Sequence, residues 1–203
     1  MSKLAIDVVV LPDQKMAEKS VEVSTLQFKK TNNSKILLDS KNCLPHISLV
    51  MGVIKKSDLE EASRIIDEVT SEIKNLNLRA EKYRKNVTPK GNVISDFVIE
   101  KRDDLYLIHE KLIKQLKHLL VYKDATVDMF YAPPAVENTT PSWVEGFLEH
   151  SSFENYDPHI TLGFGQIENV ETPIQFKSDT IAICHLGNYC TCRKILHKAS
   201  FGK

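Results

Sequence analysis

Two short stretches hold reactive residue types in the same order: Leu44-Pro45-His46-Ile47-Ser48-Leu49 and Asp157-Pro158-His159-Ile160-Thr161-Leu162. Their shared core is Pro-His-Ile-[Ser/Thr]-Leu. A bare His-x-[Ser/Thr] match means little, because 7 histidines with 26 serines and threonines in 203 residues give about one such match by chance. His150-Ser151-Ser152 is a match of that kind. Five matched positions recurring on two apolar stretches carry far more weight. On a strand, alternate side chains share a face, so His46 and Ser48 point to one side, about 6.5–7 Å apart, while Ile47 and Leu49 point to the other. His159 and Thr161 repeat this against Ile160 and Leu162. The aliphatic pair anchors each strand in a core and leaves the polar pair facing a cavity or solvent. An imidazole with a reference pKa of about 6.5 serves as base or acid near neutrality. Two imidazoles flanking a phosphorus suit in-line displacement, one taking a proton from the attacking oxygen and the other giving one to the leaving oxygen. The hydroxyls can donate hydrogen bonds to non-bridging oxygens as negative charge builds.

Three other groupings are chemically suggestive. Arg79, Lys82, Arg84, Lys85 and Lys90 lie close together with only Glu81 opposing them. They form either a solvated hairpin face or a patch that steers a polyanion, since neutralising backbone phosphates gives sequence-independent affinity. Phe130, Tyr131, Trp143, Tyr156 and Phe164 are candidates for stacking on a nucleobase, a contact of about 1–3 kcal/mol per base. Phe164 alternates with Thr161 and is expected in the core; Trp143 and the Phe130-Tyr131 pair, in an irregular segment, are better candidates, and Tyr131 and Trp143 are taken as the base-stacking residues. Cys184, Cys190, Cys192 and His197 read C-x5-C-x-C-x4-H. That spacing matches no common structural zinc pattern, so no metal is expected and the thiols read as buried. His109 and His118 sit beside Lys and Glu on a helix and are expected at its surface; His185 and His197 read as ordinary strand residues.

These residues need elements to position them. Leu4 to Leu11 reads as a buried strand stopped by Pro12. Asp13 then caps a helix to about Lys30, with Ala17, Val21, Ser24 and Phe28 on its inner face. Strands are expected at Ile36–Leu38 and Leu44–Ile54. Ser57 and Glu60 form a capping box for a helix over 58–74 with an apolar stripe of Leu59, Ala62, Ile66, Val69 and Ile73. Alternating stretches at 76–87 and 92–100 flank a hairpin turn at Thr88-Pro89-Lys90-Gly91. Asp103 or Asp104 caps a third helix, with Leu105, Ile108, Leu112, Leu116 and Leu119 on one face. Residues 128–157 are irregular and aromatic, with one short helix starting near Pro141. Strands resume at 157–164, 180–186 and 189–201, with Gly187-Asn188 as a turn.

Helices and hairpins interleave without a Pro/Gly/Ser-rich linker, so residues 1–203 read as one α+β domain with largely antiparallel sheets. Its 203 residues are ample for a hydrophobic interior. With 27 Lys+Arg against 27 Asp+Glu the net charge is zero, which argues against coating nucleic acid through a whole-surface basic field. The apolar run Ala5–Leu11, interrupted by Asp7, is too short to span a membrane and lacks a signal-peptide cleavage pattern. Four cysteines do not make a disulfide framework, so a reducing, cytoplasmic location is expected.

The twin motif resembles the two-histidine (2H) phosphoesterase superfamily, which includes 2′,3′-cyclic nucleotide phosphodiesterases and 2′-5′ RNA ligase-like proteins. The order of elements resembles that family over most of the chain, although only the two motifs are specific. The resemblance implies two pseudo-symmetric lobes with outer helices, and motif strands lining a central cleft. It implies His46 and His159 as the catalytic pair, Ser48 and Thr161 as phosphate-binding hydroxyls, and no metal or cofactor. The activity implied is hydrolysis of a 2′,3′-cyclic phosphate or a 2′-5′ linkage on an RNA end or small nucleotide; a monomer without membrane contact is expected. Two alternatives stay open: 2′-5′ RNA ligation, and a non-catalytic module that binds RNA ends or nucleotides. The motif histidines are 113 residues apart, generous for compact members, with the excess in 128–157. That segment is expected to form a cleft wall or lid and to select the substrate.

Overall fold

The computed structural model describes residues 2–88 and 91–202. The chain runs through β1 (Lys3–Leu11), α1 (Gln14–Thr31), β2 (Ile47–Lys55), α2 (Leu59–Ser71), β3 (Leu76–Val87), β4 (Val93–Ile99) and α3 (Asp103–Leu116). It continues through β5 (Leu120–Val121), α4 (Pro141–Glu145), α5 (Phe147–His150), β6 (His159–Phe164), β7 (Ile174–Ser178), β8 (Thr180–Leu186) and β9 (Cys192–Ser200). The strands form two sheets, in the orders β5-β2-β1-β8-β9 and β6-β4-β3-β7, with every pairing antiparallel. The class is α+β. β1 is buried continuously from Ala5 to Val10, as a strand flanked on both edges and covered on both faces must be.

Each motif strand belongs to a different sheet, and β2 packs against β6. A single hydrophobic cluster takes in Ile47 and Leu49 from β2 and Ile160 and Leu162 from β6. Each of these side chains is worth about 1.5–3 kcal/mol when removed from water. Both motifs are thereby anchored by their aliphatic pairs, and strand alternation turns the polar pairs the other way.

The helices depart from the sequence reading in informative ways. Asp13 caps α1 as expected, its Oδ1 accepting from Met16 N at 2.9 Å. The buried face of α1, however, is Met16, Ser20, Val23, Ser24 and Gln27, more polar than the stripe read from sequence. It is polar because it serves other segments: Ser24 Oγ accepts from Leu38 N at 3.0 Å, and Gln27 donates to the Tyr83 hydroxyl at 2.9 Å. No capping box forms at α2. Asp58 occupies the cap position without a side-chain bond to the helix, and Ser57 donates to Asp58 instead. In α3, Asp103 and Asp104 lie within the first turn and the cap residue is Arg102. His109, expected at the helix surface, is fully buried.

Other differences lie in the connections. Residues 36–38 form no strand, only a single bridge from Leu37 to Gly163. Gly163 has φ +129°, and a Cβ there would lie 2.6 Å from the Ile36 carbonyl oxygen, so only glycine allows this approach. β7 and the short β5 have no counterpart among the strands expected from sequence. A 3-10 turn at Asn188–Cys190 replaces the tight turn expected at Gly187-Asn188. The β3–β4 hairpin forms, with Thr88 N bonded to Asn92 O, while Pro89 and Lys90 of its expected turn lie outside the described residues. Cys184 and Cys192 are joined by a disulfide across β8 and β9, with Cα atoms 5.5 Å apart. This corrects the reading of both as thiols, and the inference of a reducing compartment loses its support at this pair. Cys43 and Cys190 are free. Among the described residues no helix is long and apolar enough to cross a membrane.

Candidate active site

A cleft of about 460 Å³ opens where the two motif strands meet, and His46, Ser48, His159 and Thr161 all line it. The structure thus brings the two motifs together. His46 immediately precedes β2 and His159 opens β6. In both motifs the ring folds back on the chain, with His46 Nδ1 2.7 Å from Leu44 O and His159 Nδ1 2.7 Å from Asp157 O. A carbonyl oxygen only accepts, so each Nδ1 carries a hydrogen. Nε2 is then the free ring nitrogen of both rings, bearing a lone pair when neutral and a proton when charged.

The two residues that supply the anchoring carbonyls are themselves held. Leu44 N donates to Cys192 O at 3.0 Å, tying the first motif to β9. Asp157 receives Arg84 Nη1 at 2.7 Å, and the same guanidinium reaches Asp96 at 3.0 Å and 3.1 Å. Asn86 donates to Asp96 as well. Asp96 is only 3% exposed and is the cross-strand partner of Thr161, so this network braces the second motif. Arg84 is therefore spent inside the fold rather than offered to a polyanion. Arg79, Lys82 and Lys85 lie on the hairpin strand β3, and Lys90 lies outside the described residues.

The sequence reading missed two residues under the first motif. Asp7 of β1 stands out in the sequence only as a break in an apolar run, yet it is wholly buried beneath the cleft. Its Oδ2 lies 2.6 Å from Ser48 Oγ and 3.9 Å from His46 Nε2. A charged residue inside an otherwise apolar run was the available signal. Burial pushes the Asp7 carboxyl well above the usual carboxylate range, against the pull of the Ser48 hydroxyl and the Val50 amide. His109 is the second. Its Nδ1 donates to Leu49 O at 2.6 Å and its Nε2 accepts from Phe153 N at 3.0 Å. The ring stacks on Tyr156 at 4.0 Å, and Tyr156 donates to Ser48 O at 3.1 Å. α3 thereby fixes the backbone of the first motif strand through two aromatic rings.

Burial pushes the His46 imidazole down to about 4, with the nearby charge of His159 adding to the fall and the Leu44 carbonyl opposing it. His46 is therefore neutral at pH 7, with a lone pair on Nε2, in a ring that lines the cleft. Trp143 of α4, 43% exposed, lines the cleft wall with its ring 5.7 Å from that of Tyr189. Tyr189 also lines the cleft and packs edge-on against Phe164. Tyr131 is placed elsewhere: it packs edge-on against His185 at 5.7 Å and does not line the cleft. Phe130 is buried in a smaller core cluster with Val53 and Val144. The segment 128–157 supplies α4 and α5, which together form one wall of the cleft.

No family model and no curated protein matches the chain. Among solved structures it is similar to LigT of E. coli complexed with phosphate, at a TM-score of 0.54 and 11% identity, covering 100% of both chains. TT0787 of Thermus thermophilus is similar at a TM-score of 0.60 and 14% identity, covering 98% of each chain. A protein described as a phosphoesterase matches at a TM-score of 0.57 and 9% identity over 100% of both chains. LigT also occurs in complexes with NADP+ and with 3′-AMP. At these identities the likeness is one of fold, the same arrangement of two antiparallel sheets with helices, carried over the whole chain.

Proposed function

We propose that this chain is a metal-independent phosphodiesterase of the two-histidine type, acting as a monomer on a 2′,3′-cyclic phosphate or 2′-5′ linkage of a small nucleotide or RNA end. One observation carries the reading: both motif histidines spend Nδ1 on a carbonyl and leave Nε2 free at one cleft shared with Ser48 and Thr161. His46, held neutral by burial, is the base that takes the proton of the attacking water. His159 gives its Nε2 proton to the leaving ribose oxygen, so one proton enters the pair and one leaves. Ser48 and Thr161 donate to the non-bridging oxygens. The nucleobase rests against Trp143, and the cleft volume suits a nucleotide-sized ligand. The nucleotide complexes of LigT, which shares the fold, support a ligand of this kind.

The test is a panel of nucleoside 2′,3′-cyclic phosphates and 2′-5′ dinucleotides assayed in EDTA, with products identified by mass. Ring opening of a cyclic phosphate to a single monoester supports the reading. Tight binding with no product from any member would leave a nucleotide-binding module instead.

A further inference from the structure

Beneath the first motif lies a proton whose position decides what Ser48 can do. Asp7 Oδ2 and Ser48 Oγ are 2.6 Å apart, a separation that places one proton between two oxygens. If Asp7 is a carboxylate it can only accept, so Ser48 must surrender its hydrogen downward and offer the cleft a lone pair. A lone pair repels a phosphoryl oxygen. If Asp7 is a carboxylic acid, its O–H serves Ser48 Oγ and the serine hydrogen is free to point upward.

The surroundings favour the acid. Asp7 is wholly buried, the Ser48 hydroxyl and the Val50 amide are the donors that act on its carboxyl, and its Oδ1 has no hydrogen-bond partner among the described residues. An orphaned oxygen costs far less on a neutral acid than on a carboxylate. Asp96 makes the contrast: it sits beside Thr161 as Asp7 sits beneath Ser48, yet it has Arg84 and Asn86 as partners. Among the described residues no lysine or arginine is paired with Asp7 in this way. The titratable groups facing it are His46 from the start of β2, Tyr156 ahead of β6 and Cys190 of the 3-10 turn, while Cys184 opposite it on β8 is locked in the disulfide.

We propose that Asp7 keeps its proton in the working enzyme and donates it from Oδ2 to Ser48 Oγ, turning the serine hydroxyl toward the phosphoryl group. Asp7 is then a positioning residue that acts through Ser48, and it gains or loses no proton during turnover. The proposal rests on the phosphodiesterase reading for its consequence but not for its premise.

The experiment has a spectroscopic arm and a kinetic arm. Infrared spectra of wild-type protein carrying 13C-carboxyl aspartate at pH 7 should contain the C=O stretch of a buried protonated acid, which disappears in Asp7→Asn. Only carboxylate bands at that pH would overturn the proposal, whether or not any substrate turns over. In kinetics, Asp7→Val should lower kcat by about 10²-fold, as removing a single oxyanion donor does. Ser48→Ala should do the same, and the double variant should be no worse than either. Asp7→Asn, whose amide N–H also donates to Ser48 Oγ, should recover most of that loss. A loss in Asp7→Asn as large as in Asp7→Val, or multiplicative losses in the double variant, would overturn it.

Discussion

Replacing His46 with Gln should make folding less sensitive to acid, by an amount set by the burial of the imidazole. The ring titrates at about 4 in the folded chain and at about 6.5 when unfolded. Between those values the unfolded chain holds a proton that the folded chain refuses, so stability rises with pH across that window. The contribution is intact above pH 6.5 and drains away as pH falls toward 4. Integrated from pH 7.5 to 4.5 it comes to about 2.5 kcal/mol. The side chain is only 12% exposed, so solvent screening takes little from this figure. Urea unfolding at both pH values, in wild type and His46→Gln, isolates the term because other titrating groups are common to the two. With a slope of about 2 kcal/mol/M, the wild-type midpoint should fall by about 1 M more than the variant's. Equal falls in the two proteins would refute a buried neutral His46, and with it the assignment of His46 as base.

Other outcomes follow from the same geometry. The acid limb of kcat/KM should lie near pH 4 rather than 6.5, since activity is lost only when His46 gains its proton; a pH–rate profile measures it. Trp143→Ala should raise KM for nucleotides about tenfold and leave kcat within about twofold, because stacking remote from phosphorus is felt equally in ground and transition states. Tyr131→Ala should change neither constant, as that ring packs on His185 away from the cleft. Arg84→Met should destabilise by about 3 kcal/mol in thermal melts, because it strips the cation from a buried Asp96.

The sequence displayed the motifs because strand chemistry is local: alternation alone separates His46 and Ser48 from Ile47 and Leu49, and the repeat lifts them above chance. Periodicity likewise exposed α2 and α3: Ala62, Ile66 and Val69 of one stripe and Leu105, Ile108, Leu112 and Leu116 of the other are buried, while Ile73 and Leu119 lie beyond the helix ends. Features set by distant partners stayed hidden. The inner face of α1 is polar because Ser24 and Gln27 bond to Leu38 and Tyr83, which no stripe of hydrophobic residues reveals. His109 looked solvated among Lys and Glu, and only the tertiary fold lays Tyr156 across it. Asp7 interrupted an apolar run, and its position under Ser48 depends on how β1 and β2 register. The capping box failed because a 3-10 turn over Lys56–Asp58 precedes α2.

The most direct test of the two-histidine reading is single-turnover cleavage of a nucleoside 2′,3′-cyclic phosphate by wild type, His46→Ala and His159→Ala, each checked for intact folding. Each single variant should lose about 10²–10⁴-fold in rate, and the double variant should be far less than multiplicatively worse, because acid and base act as a unit. Either single variant keeping more than about a tenth of the wild-type rate would contradict it.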